Sequence, residues 1–365
     1  MKTIVIAHNY SEISFAAMSY HFAHYLANLG HRVVFISHIP YFSEKKILKI
    51  NSGEIILCSW SSEKRPTTFR DFIWFSRLYF QYKPQIIIGH FVGSNITILL
   101  SKVFSFGGVQ SIEYYHTLSN QIILDLKKVS FKQKLLFFRK KFFYWLLCDK
   151  IICPSILAKK DLAHFFSTKK GIVLLNPMID RFKKKSSISK DIIVISYLGR
   201  LDPSKGVIDL IKALGIYKKN NPISKIVLNI AGSGKQSSEI QELTQNNSSI
   251  RFLGPLAYHE IDEYLNKSHF TIIPSKFDNL PTVGLESLMN QTPLLISNTT
   301  GLTYYLEDGK DCFKFDSNID DIIALFNRVE SNSATIEQMS LNARNTFLKK
   351  FSISNYCEDL LKIIE

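Results

Sequence analysis

Two acids, Asp278 and Glu286, stand in a run whose pattern suits ligand chemistry, HFTIIPSKFDNLPTVGLESLMNQ at 269–291. An ionised carboxylate only accepts hydrogen bonds and can take two from neighbouring hydroxyls, as a sugar presents them. The elements that would position the acids can be read from the same run. Residues 269–273 are apolar and rich in β-branched types, which suits a buried strand. Residues 274–280 carry Pro, Ser, Asp and Asn and read as a loop. From Pro281 onward Val283, Leu285, Leu288 and Met289 fit one side of a helix. A polar loop between a buried strand and a helix start is where α/β proteins hold ligands. The N–H groups of the first helical turn suit a phosphate. At this point two plainer roles stay open: Asp278 as a helix cap and Glu286 as a solvent-facing residue.

A second stretch has the same strand–loop–helix order. The apolar run Ile192, Ile193, Val194, Ile195 leads into YLGRLDPSKGV at 197–207. Arg200 and Lys205 sit on that loop beside Gly199 and Gly206. Glycines let a backbone approach a ligand closely, and two cations can pair with a diphosphate. GRLDPSKG, the later IAGSG at 230–234 and the Asp278-to-Glu286 spacing resemble the donor half of retaining glycosyltransferases of the GT-B fold, family four type. The resemblance is strongest over residues 192–315. That family carries two acids with seven residues between them, a spacing kept here, although its first acid is commonly Glu.

The resemblance implies an α/β protein with two doubly wound, Rossmann-like domains facing across a cleft. It implies an acceptor domain over 1–185, a nucleotide-sugar domain over 186–345 and a C-terminal helix over 346–365 that crosses back to the first domain. Implied donor contacts are Gly199, Arg200, Lys205, Gly232, Leu256, Asp278, Leu280, Thr282, Val283 and Glu286. Arg200 and Lys205 would meet the diphosphate, helped by the amides of Thr282 and Val283. Glu286 would hold ribose hydroxyls, and Asp278 would accept from the sugar. Backbone groups at Leu256 would meet the base. His116, just after a strand at 110–114, would face the transferred sugar; for His90 an ordinary loop histidine is the preferred reading. Transfer would proceed with retention and without a protein nucleophile, the leaving phosphate taking the acceptor's proton. Two departures stand out. The first loop reads HNYSEIS at 8–14, without the family's glycine pair, so Ser11 or Ser14 would supply part of that contact. Pro281 has no N–H to offer where the family commonly has glycine.

Length and composition agree with this reading. A chain of 365 residues is too long for one ordinary core and suits two domains. No run reaches the ~18 uninterrupted apolar residues of a spanning helix, and MKTIVIAHNY lacks the features of a signal peptide. The five cysteines are scattered and form no CxxC pair, which fits reduced thiols in a cytoplasm rather than disulfides or zinc. No acidic metal motif stands in a suitable place, so no metal and no other cofactor is expected beyond the nucleotide sugar itself. The formal net charge of +14 calls for anionic partners.

Part of that charge lies in SFKQKLLFFRKKFFYWLLCD at 130–149. Phe131, Leu135, Phe138, Phe142 and Trp145 recur at helical spacing, flanked by Lys132, Lys134, Arg139, Lys140 and Lys141. The preferred reading packs this stripe on a sheet and leaves the lysines in water. Phe137 and Tyr144, off the stripe, keep an anionic membrane surface open as a partner. RFKKKSSISK at 181–190 reads as an interdomain linker. A glycan or lipid-linked acceptor at the inner membrane face follows from charge and family habit. The rivals are a nucleotide-sugar epimerase of similar shape, a basic nucleic-acid-binding protein and a non-catalytic subunit. A nucleic-acid binder would cluster its lysines with aromatic platforms for bases, whereas the main basic cluster, residues 132 to 141, is amphipathic.

Overall fold

A computed structural model describes residues 1–8, 17–37, 45–60, 66–91, 95–126, 130–189, 191–245 and 247–365. Ser11 and Ser14, named above for the first loop, lie outside the described residues. The chain divides into two compact units: Met1–His116 with Val129–Pro177 and Ile353–Glu365, and Thr117–Lys128 with Met178–Ser352.

In the first unit the strands are β1 (Thr3–Ala7), β2 (Arg32–Ser37), β3 (Lys46–Ile50), β4 (Gly53–Ser59), β5 (Ile86–His90), β6 (Gln110–Tyr114), β7 (Lys150–Cys153) and β8 (Gly171–Val173). They form one sheet in the order β3-β4-β2-β1-β5-β6-β7-β8. All neighbours are parallel except the β3–β4 pair. β1 shows why this chain makes such a sheet. Its residues are buried throughout, Ile4 and Ile6 in one apolar cluster and Val5 and Ala7 in another. Side chains alternate across a strand, so both faces of the sheet are covered. Helix Ile353–Ile364 joins this unit, burying Tyr356, Leu360 and Ile364 in the cluster of Ile4 and Phe22. Tyr356 shares a 2.6 Å hydrogen bond between phenol oxygens with Tyr114.

In the second unit the strands are β9 (Ile193–Leu198), β10 (Ile226–Ala231), β11 (Ile250–Gly254), β12 (Phe270–Ile273), β13 (Leu294–Ser297) and β14 (Cys312–Phe315). The sheet order is β11-β10-β9-β12-β13-β14, parallel throughout. In both sheets the strand order reverses beside the unit's first strand, between β1 and β5 and between β9 and β12. Open α/β sheets bind ligands at such switch points, beyond the carboxyl ends of the strands.

Two expectations are corrected. The stretch expected as a linker is strapped to the second unit. Lys185 Nζ donates to Ser268 O at 3.0 Å and Thr292 Oγ1 at 2.6 Å, and Asn266 Nδ2 donates to Lys184 O at 2.7 Å. A polar composition suits backbone and side-chain hydrogen bonding to a neighbour as well as it suits solvent. The stripe at 131–145 does not pack on the sheet. Along helix Phe131–Phe142 and the wider turn Phe143–Leu147, Phe131 is 82% exposed, Phe138 59% and Trp145 62%. The inward face is instead Phe137, Lys140 and Tyr144. Phe137 lies against Phe165 and Phe166, and Tyr144 is buried against Tyr115 and Phe166. The Lys140 ammonium lies 5.1 to 5.6 Å from the ring centres of Tyr115, Tyr144 and Phe166. Both faces of this helix carry aromatics, so spacing alone does not choose between them, and the π-turn changes the period at Tyr144.

Candidate functional site

The second unit's switch point brings together loops that are far apart in sequence. The loop after β9 carries Gly199, Arg200 and Lys205; the loop after β12 carries Asp278 and Leu280 and runs into helix Thr282–Met289. Gly206 allows the close approach. It has φ +71°, and a Cβ there would stand 2.2 Å from Pro274 O at the end of β12. Beside it the Lys276 amide donates to Ser204 O at 2.8 Å, tying the two loops.

The result is an ion pair across the switch point. Lys205 Nζ lies 2.6 Å from Asp278 Oδ2, with the two side chains 13% and 10% exposed. Asp278 also accepts from Ser275 Oγ at 3.4 Å and from the Asn279 amide at 2.9 Å. It does not cap the helix, whose N-cap is Pro281 with no side-chain hydrogen bond. A carboxylate has about four acceptor positions, so the three bonds named leave room for a ligand hydroxyl. An ammonium has three donors, so Lys205 can keep Asp278 and still reach an anion.

The glycine-rich loop after β10 is zipped onto the loop after β9. Gly232 has φ +139°, and a Cβ there would fall 1.8 Å from Gly199 O, so only glycine fits. Leu201 N donates to Ser233 O at 2.9 Å, and Gly232 N to Gly254 O at 2.8 Å. Arg200 is aimed by Asp202: its NH1 lies 2.5 Å from Asp202 Oδ2, while Asp202 Oδ1 accepts from the Lys235 amide at 3.4 Å. Arg200 and Lys235 line a cavity of about 430 Å³ with Thr117, Gln121, Ile122 and Leu126. Asp202 and Lys235 escaped the sequence reading, although both stand inside or next to the motifs that were singled out.

Glu286 is not solvent-facing. It is buried in a helix whose residues 284–289 are all buried, so the expected one-sided helix is covered all round. Its Oε1 lies 3.6 Å from Arg181 NH2. Arg181 in turn donates to both oxygens of Asp262, at 2.8 and 2.9 Å. Sequence reading missed Arg181 because it lies in the stretch taken for a linker. Burial raises the Glu286 pKa to about 7, against the lowering effect of Arg181, and Asp262 adds to the rise. The sign follows directly. The folded carboxyl keeps its proton above its ordinary 4.5, so between about 4.5 and 7 the folded state binds more protons than the unfolded. Stability should fall as pH rises through that window, and Glu286→Gln should abolish this component, as pH-dependent denaturant titrations would show.

Leu280 is buried, and Thr282 and Val283 are half-buried in the first helical turn. Leu256 is half-buried in the loop after β11. His116 belongs to the other unit, just past β6, and is half-buried. Among the described residues no group of three or more His, Cys, Asp or Glu could hold a metal ion, and no helix is long and apolar enough to cross a membrane.

Comparison with known proteins agrees with this geometry. Residues 178–346 match the model of "Glycosyl transferases group 1", and residues 16–181 match "Glycosyltransferase Family 4". The chain is 25% identical over 187 residues to "Uncharacterized glycosyltransferase MJ1607" of Methanocaldococcus jannaschii, covering 50% of this chain and 47% of that protein. It thus spans about half the length of that relative. Over 329 residues it is 25% identical to the Campylobacter jejuni "GalNAc-alpha-(1->4)-GalNAc-alpha-(1->3)-diNAcBac-PP-undecaprenol alpha-1,4-N-acetyl-D-galactosaminyltransferase", covering 87% of this chain and 84% of that one. The fold matches the crystal structure of Anabaena Alr3699/HepE in complex with UDP-glucose, with TM-score 0.71 at 11% identity, covering 100% of this chain and 99% of that one. With a two-unit GT-B fold and family models spanning nearly its whole length, the chain belongs to the group 1, family 4 glycosyltransferases.

Proposed function

We propose that this protein moves a sugar from a nucleotide diphosphate sugar to a hydroxyl of a glycan or lipid-linked acceptor, with retention of configuration. The observation that carries the reading is the Lys205–Asp278 pair across the switch point, with Arg200 on the same loop. In such a transfer, negative charge develops on the leaving diphosphate. Preorganised cations and N–H dipoles at that point lower the barrier most. Arg200 and Lys205 supply the cations, and the amides of Thr282 and Val283 supply the helix start. Asp278 accepts a sugar hydroxyl, Glu286 accepts from the ribose, and backbone at Gly232 and Leu256 lines the nucleotide. On the first unit His116 is assigned the transferred sugar. The leaving phosphate takes the acceptor's proton, so no protein nucleophile and no metal is called for.

The role of Glu286 carries its own pH signature. Only its ionised form accepts from two hydroxyls, and with a pKa of about 7 roughly one-tenth of it is ionised at pH 6. Affinity for the nucleotide sugar, whose diphosphate ester does not titrate here, should rise about tenfold from pH 6 to 8. Glu286→Gln should flatten the curve. A pH-independent wild-type affinity would remove Glu286 from the ribose.

A lipid-linked acceptor would lie at a membrane surface, and the exposed aromatics at 131–145 among lysines suit an anionic one. Each surface cation adds ~1 kcal/mol of attraction. The protein should co-sediment with phosphatidylglycerol vesicles and not with phosphatidylcholine vesicles, and Phe138→Ser with Trp145→Ser should weaken binding about tenfold. Equal partition onto both vesicle types would count against the charge-guided reading.

The function is tested by thermal shift with UDP, GDP, ADP and their sugars. One nucleotide at a hundredfold excess over its Kd should add about 2.7 kcal/mol of stability. Its sugar should then reach a lipid-linked acceptor with the donor's anomeric configuration kept. No stabilisation by any nucleotide, or conversion of the sugar without acceptor, would overturn the reading.

A further inference from the structure

The first unit's own switch point holds a chain of side chains of which the transfer chemistry above uses only His116. His8 follows β1, His90 closes β5 and His116 follows β6. Ser19 reaches them from helix Ala17–Asn28 and is almost wholly buried. Ser19 Oγ lies 2.6 Å from His8 Nδ1 and 3.1 Å from His90 Nε2. His90 Nδ1 lies 3.2 Å from His116 Nε2. The rings are held in a stack: His8 on His90 at 4.1 Å and 3°, His90 on Tyr114 at 3.9 Å, Phe91 on His116 at 4.4 Å. Stacked planes keep the nitrogens from converging on one point, as metal ligands would.

Proton counting restricts this chain to two states. Each neutral imidazole carries one N–H, and the serine carries one O–H. Each of the three hydrogen bonds needs one proton between its two atoms. If His90 Nδ1–H donates to His116, then Ser19 O–H donates to His90 Nε2, and His8 Nδ1–H donates to Ser19. All three histidines are then Nδ1–H tautomers. If His116 Nε2–H donates instead, every bond reverses, and all three are Nε2–H tautomers. Burial favours these neutral forms. It lowers His8 to about 3, and it pulls His90 and His116 well below their ordinary value, with neighbouring imidazoles and, for His116, Lys140 adding to the effect.

We propose that Ser19 and His90 are positioning residues that set which nitrogen of His116 carries its proton and couple that choice to His8. One state makes His116 Nδ1 a hydrogen-bond donor and the other makes it an acceptor. Both end nitrogens, His116 Nδ1 and His8 Nε2, are buried, so the choice fixes the polarity that His116 presents to the groups packed around it and ties that polarity to the surroundings of His8. The catalytic consequence rests on the transferase reading; the coupling does not.

The test is tautomer assignment by two-bond ¹H–¹⁵N correlation on the full chain labelled with ¹⁵N-histidine, at pH 7.5, for wild type, Ser19→Ala and Ser19→Thr. His8, His90 and His116 should share one tautomer in the wild type and in Ser19→Thr. In Ser19→Ala, His8 should no longer follow the other two. Alongside, Ser19→Ala should lower kcat roughly tenfold with the donor KM unchanged, and Ser19→Thr should restore it. Different tautomers at His8 and His116 in the wild type would overturn the coupling. Coupled tautomers with an unchanged kcat in Ser19→Ala would overturn the positioning role. Absence of any transfer in the wild type would instead count against the function proposed above, with the spectra still deciding the coupling.

Discussion

Lys205→Ala should lose both activity and stability, for separable reasons. The ammonium is one of two cations assigned to the leaving diphosphate, so kcat should fall about 10²–10³-fold. Its partner Asp278 is also left as a nearly buried carboxylate, 10% exposed, without its counter-ion. Breaking a buried pair from one side costs about 3–5 kcal/mol. The bonds from Ser275 and the Asn279 amide remain, which places the loss at the lower end of that range. Adding Asp278→Asn removes the orphaned charge. The double variant should therefore recover most of the stability in urea titration and none of the activity. Parallel recovery of both would mean that Lys205 only holds the loop.

Arg200→Ala should lose as much activity with a smaller loss of stability. Its side chain is 57% exposed and its named ion pair is with Asp202, which retains the Lys235 amide. The guanidinium itself is largely in solvent, but Asp202 is only 9% exposed and loses its counter-ion, so stability should fall by about 1–3 kcal/mol. Activity should nevertheless fall about 10²–10³-fold, since the guanidinium is the other cation assigned to the leaving diphosphate. Arg200→Lys should recover part of it only, because an ammonium cannot offer the two parallel donors of a guanidinium. The two variants should lose activity alike, with the smaller loss of stability at Arg200, whose side of the ion pair is the more exposed. Urea titration and steady-state kinetics on both variants measure the two losses.

Much of this arrangement was legible in the residues. Strands were legible from short apolar runs: those expected at 110–114 and 269–273 stand as β6 and, within a residue, β12. β3 was missed because Lys46 and Lys49 break the apolar pattern; it is an edge strand, where charge is tolerated and protects against further pairing. The motif loops were found one at a time, but their pairing was not. Lys205 and Asp278 are 73 positions apart, and only Gly206 hinted at the close approach. Arg181 beside Glu286 was hidden for the same reason, and its basic neighbours made it look like a linker. Orientation was the other failure. At 131–145 the sequence shows apolar residues on both helix faces, and which face turns inward depends on the partners at Tyr115 and Phe166. The Ser19–histidine chain could not be seen either, since it joins the ends of three strands that only the sheet order makes neighbours.

The central claim is that the switch point between β9 and β12 grips a nucleoside diphosphate. The direct measurement is a crystal structure of the full chain with whichever diphosphate stabilises it most. The account predicts phosphate oxygens within hydrogen-bonding distance of Lys205 Nζ and the Arg200 guanidinium, at the first turn of helix Thr282–Met289. Diphosphate bound at any other place, with the Lys205–Asp278 pair untouched, would contradict it.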